Sequence, residues 1–226
     1  MKSKYKYQIP FYLCDENLQL RPDGLLKLLV DSSMRNTDEV DGNVEGYNWI
    51  LYRWFINTYE NIEYKDEIEI ETFSRKIDRF YAFRNFHIYK NGNKVLEADC
   101  KWILVSDEGN IARITPEVAE KYGQYEGFEM PRVEVKKLDS YSDKEAIKIR
   151  KADIDINGHV NNSNYLQYIF DVVNTDKTIK NIDIVYKKEL RYGDQAEILY
   201  QQDEVSFECA IITNENVHTL TRIEFY

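Results

Sequence analysis

The chain reads as an α+β protein made from one plan used twice, a helix wrapped by an antiparallel sheet. Three observations predict this. An apolar stripe at helical spacing near the start is followed by several strand-like alternating runs, and that order recurs in the second half. A polar stretch over 123–143, containing Pro131, separates the halves. Each half also carries the same local pattern ahead of a strand. Tyr64-Lys65-Asp66-Glu67-Ile68-Glu69-Ile70 and Tyr192-Gly193-Asp194-Gln195-Ala196-Glu197-Ile198 both read Y-x-D-x-x-E-I. The expected division is a unit at 1–125, a linker at 126–143 and a second unit at 144–226.

Taken in order, residues 4–13 alternate Tyr5, Tyr7, Ile9 and Phe11 with polar or mixed neighbours, the period-two mark of a strand. Cys14-Asp15-Glu16-Asn17 reads as a turn. Pro22 suits the first turn of a helix, where its missing N–H costs nothing, and Asp23 complements the helix dipole. Leu25, Leu26, Leu28, Leu29, Ser32, Ser33 and Met34 then form a stripe more apolar than a surface helix needs, so a sheet is expected to wrap it. Gly42 to Gly46 is a turn region. Strand-like runs follow at 49–58, 67–74, 81–89 and 95–106, and Asn91-Gly92-Asn93 is a strong hairpin signal between the last two. After a turn at Asp107-Glu108-Gly109-Asn110, Pro116 opens a short helix at 117–122. The second half offers a strand at 146–150, a helix at 163–173 and strands near 182–190, 196–202, 205–213 and 219–225. Asn214-Glu215-Asn216 mirrors the earlier hairpin signal.

Composition narrows the function classes. With 43% hydrophobic and 14% aromatic residues in 226, the chain is expected to bury a core and is not disordered. No apolar run approaches the roughly 18 residues of a membrane span. The basic start, Met1 to Tyr7, runs into strand-like residues with no apolar segment, so neither a secretory signal nor a plastid extension is expected. Cys14, Cys100 and Cys209 are far apart, as expected of reduced buried thiols in the cytoplasm. A formal net charge of −10 argues against a nucleic-acid partner.

The most chemically loaded stretch runs from Arg150 to Asn162. Asp155, Asn157 and His159 recur at every second residue, with Ile154, Ile156 and Val160 between and beside them. If extended, this run sets a carboxylate, an amide and an imidazole on one face. Such a trio can act on one substrate atom as base or nucleophile, oxyanion donor and proton handler. Asn157-Gly158 argues that the run also turns, since Gly accepts positive φ and Asn tolerates it. Asn161 or Asn162 is placed to cap the following helix. By itself a loop with Asn-Gly and two aspartates is more often a plain polar turn.

The ordered run Asp155-Ile-Asn157-Gly-His159-Val160-Asn161-Asn162-x-x-Tyr165 resembles the D-x-N-x-H-V-N-N-x-x-Y signature of acyl-acyl-carrier-protein thioesterases. Gly46-Tyr47-Asn48-Trp49-Ile50-Leu51-Tyr52-Arg53-Trp54 is similar to the G-x-x-W-x-L-x-R-W segment of the same family. The resemblance implies a tandem (double) hotdog fold and hydrolysis of a fatty acyl thioester carried on acyl carrier protein, without a cofactor. It places catalytic residues at Asp155, Asn157 and His159, with a further acid at Glu189 in the strand ending at Leu190. The family often has Cys after that acid; Leu190 here argues against a thiol nucleophile. The chemistry implied is then carboxylate-based. Glu189 or Asp155 activates water, or Asp155 attacks directly, while Asn157 steadies the carboxylate or the oxyanion. His159 polarises the carbonyl or protonates the leaving thiolate.

The acyl chain is expected in an apolar tunnel of the first unit, near Leu29, Met34 and Trp49, although Trp49 and Trp54 would serve equally as plain aromatic core. His87, His159 and His218 lack ligand spacing, so no metal is expected. An acidic carrier docking on an acidic chain needs a local basic patch, either Arg75, Lys76, Arg79 and Arg84 or Lys187, Lys188 and Arg191. Monomer and homodimer are both consistent with two units per chain. Three other readings stay open: the same chemistry on acyl-CoA, a non-catalytic acyl-binding hotdog module, and a hotdog dehydratase, which would typically use a different His and acid arrangement.

Overall fold

The computed structural model describes residues 1–214 and 216–226, so Glu215, in the expected last hairpin, lies outside the described residues. The chain divides into two compact units, Met1–Met130 and Pro131–Tyr226.

Unit 1 begins with β1 (Ser3–Gln8), which stops short of its expected length. Pro10 lacks the N–H a ladder needs, and a short 3-10 turn (Phe11–Leu13) replaces the strand's end. Helix α1 (Pro22–Glu39) follows, with Pro22 at its first position. Then come β2 (Tyr47–Thr58), β3 (Glu67–Asp78), β4 (Tyr81–Lys90) and β5 (Asn93–Ser106), and a short α2 (Pro116–Tyr122). The sheet is antiparallel throughout, in the order β1-β3-β4-β5-β2. Asn91 and Gly92 both have positive φ (52° and 81°) and form the two-residue turn between β4 and β5, the geometry that matches strand twist.

α1 packs on β3 and β1 and buries Leu25, Leu26 and Leu29. Each such side chain contributes about 1.5–3 kcal/mol. The sheet answers with Ile68, Ile70, Phe73, Phe86 and Ile88, all at most 2% exposed. Trp54 lies fully buried against Phe86, with ring centroids 5.1 Å apart.

Unit 2 repeats the plan. It runs β6 (Asp143–Ile147), a 3-10 turn (Lys151–Asp153), α3 (Asn164–Phe170), β7 (Ile179–Tyr186), β8 (Ala196–Gln202), β9 (Ser206–Thr213) and β10 (Asn216–Phe225). The antiparallel order is β6-β8-β9-β10-β7, which is unit 1's order element for element. Besides β6, which begins and ends three residues before the expected 146–150, two expectations shift here. α3 is shorter than 163–173, and β7 ends at Tyr186, so Glu189 lies in the loop beyond it. The cause of the second is local: the N–H groups of Lys187 and Lys188 both turn to the carbonyl of His218 (2.8 and 3.4 Å), and the chain leaves the ladder.

Candidate active site

The stretch carrying Asp155, Asn157 and His159 is a tight turn, so the expectation of an extended face is corrected. Ile154 and Val160 pair as an isolated bridge at its base. Asp155 N–H donates to the His159 carbonyl (2.8 Å), and Gly158 N–H donates to the Asp155 carbonyl (3.1 Å). Asp155 Oδ1 accepts from the N–H of Asn157 (2.8 Å) and, more weakly, of His159 (3.4 Å). This Asx turn, with Gly158 at φ +79°, outcompetes the strand. Ile156 is left wholly exposed at the tip.

The turn is held from below by Asp153, which is 2% exposed. Its carboxylate accepts from Arg150 N–H (2.7 Å), Arg150 Nη2 (2.8 Å) and the Tyr168 hydroxyl (2.8 Å). Burial opposes its charge, yet these donors hold its pKa below the ordinary aspartate value. Its carbonyl takes the N–H of Asn161 (2.9 Å) and Nδ2 of Asn164 (3.1 Å). Asn161 Oδ1 then accepts from Ser163 N–H (3.0 Å) and Oγ (2.7 Å), turning the chain into α3.

A second segment is pinned against this turn through Leu190. The Leu190 carbonyl accepts from Val160 N–H (2.8 Å), and its N–H donates to the buried Tyr165 hydroxyl (2.9 Å). Glu189 is thereby brought beside His159. His218, 2% exposed on β10, completes the mounting. Its Nδ1 lies 3.1 Å from the carbonyls of both Lys188 and Glu189 and its Nε2 3.0 Å from Thr213 Oγ1. Carbonyls only accept, so these partners assign the proton to Nδ1.

Glu189 and His159 meet at Arg191. One guanidinium nitrogen, Nη2, is 3.1 Å from His159 Nε2 and 3.4 Å from Glu189 Oε1. Glu189's pKa is held below the usual glutamate value, first by its own backbone N–H and then, against burial, by the charge and hydrogen bond of Arg191. An open cleft of about 530 Å³ adjoins Glu189 and Arg191, lined also by Lys188, Asp194, Thr213 and Asn216 among others.

Of the four residues expected to be catalytic, the structure thus joins His159 and Glu189 through a common partner. Asp155 sits in the turn with Oδ1 engaged by its N–H groups, and Asn157 is at the exposed end. Arg191 was legible only as a docking cation, and His218 only as a histidine without ligand spacing. In unit 1, Leu29 is fully buried on α1, whereas Met34 is 51% exposed. Trp49 is partly buried, its ring edge-on to Tyr122 at 6.2 Å.

The first basic patch is also corrected. Arg84 is 5% exposed and donates to Asn36 Oδ1 (2.6 Å). Arg75 is buried against Asp99 (2.7 Å). Burial pushes that carboxyl up to about 6 even though Arg75, Met130 N–H and Asn85 all favour its charge. Two of that patch's four cations therefore serve the interior. Lys187, Lys188 and Arg191 instead surround Glu189 in sequence, with Lys187 3.7 Å from Glu134.

Unit 1 contains the same turn in a different chemical state. Cys14 and Leu20 form the bridge, Asp15 N–H donates to the Gln19 carbonyl (2.9 Å), and Leu20 N–H donates to the Ile62 carbonyl (2.8 Å). Gln19 Nε2 donates to Glu63 Oε1 (2.9 Å), where unit 2 has His159 facing Arg191.

A helix on an antiparallel sheet, repeated with identical strand order, defines the tandem hotdog class, here with a D-x-N-x-H turn closed on a glutamate. Within that class the chain belongs to the acyl-ACP thioesterase family. Residues 1–122 match the acyl-ACP thioesterase N-terminal domain and residues 136–225 the C-terminal domain. Among curated relatives, the chain is 26% identical over 224 residues to oleoyl-acyl carrier protein thioesterase 2 (chloroplastic) of Arabidopsis thaliana, a match covering 84% of this chain and 60% of that one. It spans a similar share, 62%, of oleoyl-acyl carrier protein thioesterase 1 of the same plant, at 22% identity over 87% of this chain. The fold is shared with the crystal structure of an acyl-ACP thioesterase from Bacteroides thetaiotaomicron (TM-score 0.91, 21% identity, 100% of this chain and 98% of that one). Among the described residues, no helix is long and apolar enough to cross a membrane.

Proposed function

We propose that this chain hydrolyses fatty acyl thioesters carried on acyl carrier protein, releasing free fatty acid and the carrier, and that it acts in the cytoplasm. The observation that carries this reading is the meeting, through Arg191, of His159 on the turn bearing the family's motif with Glu189 on the segment beyond β7, which lines an open cleft. Glu189 is the base. Its lowered pKa keeps it a carboxylate at neutral pH.

Water gives its proton to Glu189 as its oxygen attacks the thioester carbon. The resulting oxyanion takes hydrogen bonds from the Asn157 amide and from His159 Nδ1–H. One well-aimed donor of this kind contributes about 3 kcal/mol. Collapse breaks the C–S bond, and the thiolate takes the proton back from Glu189. Asp155 acts through the turn, since Oδ1 already accepts from two N–H groups. In unit 1 the acyl chain is assigned to the buried side of α1 around Leu29 and to Trp49, with Met34 on the exposed side. Lys187 and Lys188 are the carrier-facing cations, while Arg191 of the same expected patch is turned to Glu189 and His159.

The experiment is thiol release from one carrier protein loaded with acyl chains from short to long, with Glu189→Gln alongside. The expected result is a peak at one chain length and a loss of about 10²–10⁴-fold in the variant. Equal turnover of the same acyl group on coenzyme A would move the reading to an acyl-CoA thioesterase. Binding of acyl carrier by the folded protein with no release at any length would leave an acyl-binding module.

A further inference from the structure

We propose that Arg191 is a positioning residue of this site, a clamp that joins Glu189 to His159 and holds the imidazole in one tautomer; the inference rests on the hydrolytic reading of that site. A guanidinium has donors and no acceptor. With Nη2 3.1 Å from His159 Nε2, that nitrogen must accept, so the imidazole proton is on Nδ1. The same Nη2 lies 3.4 Å from Glu189 Oε1, and one cation therefore fixes the distance between the base and the imidazole.

Arg191 is itself held. Its N–H donates to Asp194 Oδ2 (2.8 Å), and Asp194 N–H returns to the Arg191 carbonyl (3.2 Å), with Gly193 at φ +97° between them. Unit 1 makes the same turn with Glu63, Lys65 (φ +71°) and Asp66. There the side chain at the Arg191 place, Glu63, reaches the side chain at the His159 place, Gln19, at 2.9 Å. The contact thus belongs to the fold in both units. Only unit 2 fills it with a cation on a histidine.

The charged and titratable groups around Glu189 are Asp155 and His159 on the motif turn, Tyr165 on α3, Lys188, Arg191 and Asp194 on its own segment, and His218 on β10. Removing Arg191 takes away one of the charges that favour the Glu189 carboxylate. Because hydrolysis needs that carboxylate, activity is lost as pH falls through its pKa, and this acid limb moves to higher pH in the variant.

The test compares wild type, Arg191→Lys and Arg191→Gln by the pH profile of kcat/KM and kcat on acyl carrier substrate, and by nitrogen-15 NMR of His159. Arg191's side chain is 63% exposed, so both variants are expected to fold. In Arg191→Gln, kcat falls by about 10–100-fold, the scale of a small misplacement of reacting groups. KM stays within about twofold, the acid limb rises, and the Nε2–H tautomer of His159 appears. Arg191→Lys restores part of each change. A rise in KM alone, with kcat, acid limb and tautomer unmoved, would overturn the proposal and make Arg191 a carrier-docking cation. The tautomer is read on resting protein, so it judges the clamp even if wild type releases no thiol, the result that would sink the hydrolytic reading.

Discussion

In unit 1, Asp15 Oδ1 accepts from the N–H groups of Asn17 and Gln19 at 2.9 Å each; in unit 2, Asp155 Oδ1 accepts from those of Asn157 and His159 at 2.8 and 3.4 Å. Both turns follow a 3-10 turn, are closed by an isolated bridge, and precede a helix. Beyond this frame the two diverge at the side chains. Gln19 stands where unit 2 has His159, and Glu63 where it has Arg191. Val95 carbonyl receives the N–H groups of Tyr59 and Glu60 just as His218 carbonyl receives those of Lys187 and Lys188, but only His218 adds a ring that grips the Glu189 segment. Counting onward from those pairs, Asn61 occupies the place of Glu189.

The difference separates scaffold from chemistry within a single motif. An Asp and an Asn two residues apart recur in both units, because an Asx turn needs a carboxylate that can fold back on its own backbone. The histidine and the glutamate occur in unit 2 alone. They are the residues to which the proposed hydrolysis is assigned, and the cleft opens beside Glu189.

The largest effect that would sharpen this comparison is an exchange at the histidine. His159→Gln gives unit 2 the side chain of unit 1 and is expected to lower kcat by about 10²-fold or more with the fold intact. Gln19→His is expected to leave thiol release unchanged. A gain from Gln19→His would break the assignment of chemistry to unit 2.

A smaller effect, read as stability, is expected at Tyr165. Tyr165→Phe leaves the Leu190 N–H without its partner in the interior and costs about 1–3 kcal/mol in urea unfolding. Activity falls along with it, because Leu190 carries Glu189. An unchanged midpoint would show that the segment is pinned by the Val160 bond and His218 alone.

The smallest effect lies at the turn tips. Gly158 has φ +79° and Leu18, in the equivalent place, φ +63°. Gly158→Ala is expected to cost about 1 kcal/mol, the left-handed penalty for a side chain. Leu18→Gly is expected to be within about 0.5 kcal/mol of neutral, since relief of that penalty is offset by the added freedom of the unfolded chain. Equal shifts in the two urea midpoints would mean that the turns are not conformationally matched.

Much of the fold was legible because its signals are local. Helical spacing from Leu25 to Ser33 and the Asn91-Gly92 turn each describe a few neighbouring residues, and both elements formed where expected. Proline and turn chemistry set the errors: β1 stops before Pro10, and β7 stops where two N–H groups share the His218 carbonyl. Unit 1's copy of the motif turn went unread, since Asp15-Glu16-Asn17-Leu18-Gln19 has neither Gly nor His to mark it.

The sequence by itself determined two units of like plan, the family, and the candidate residues to which the proposed chemistry is assigned. Those properties depend on periodicity, composition and the order of short motifs. Only the tertiary structure decided that Leu190 ties Glu189 to the motif turn, that His218 holds the segment from β10, and that Arg191 lies between Glu189 and His159. It also decided that Arg84 faces Asn36 in the interior and not the solvent. These contacts join residues far apart in the chain, and they are set by strand register and side-chain direction, which no local pattern encodes.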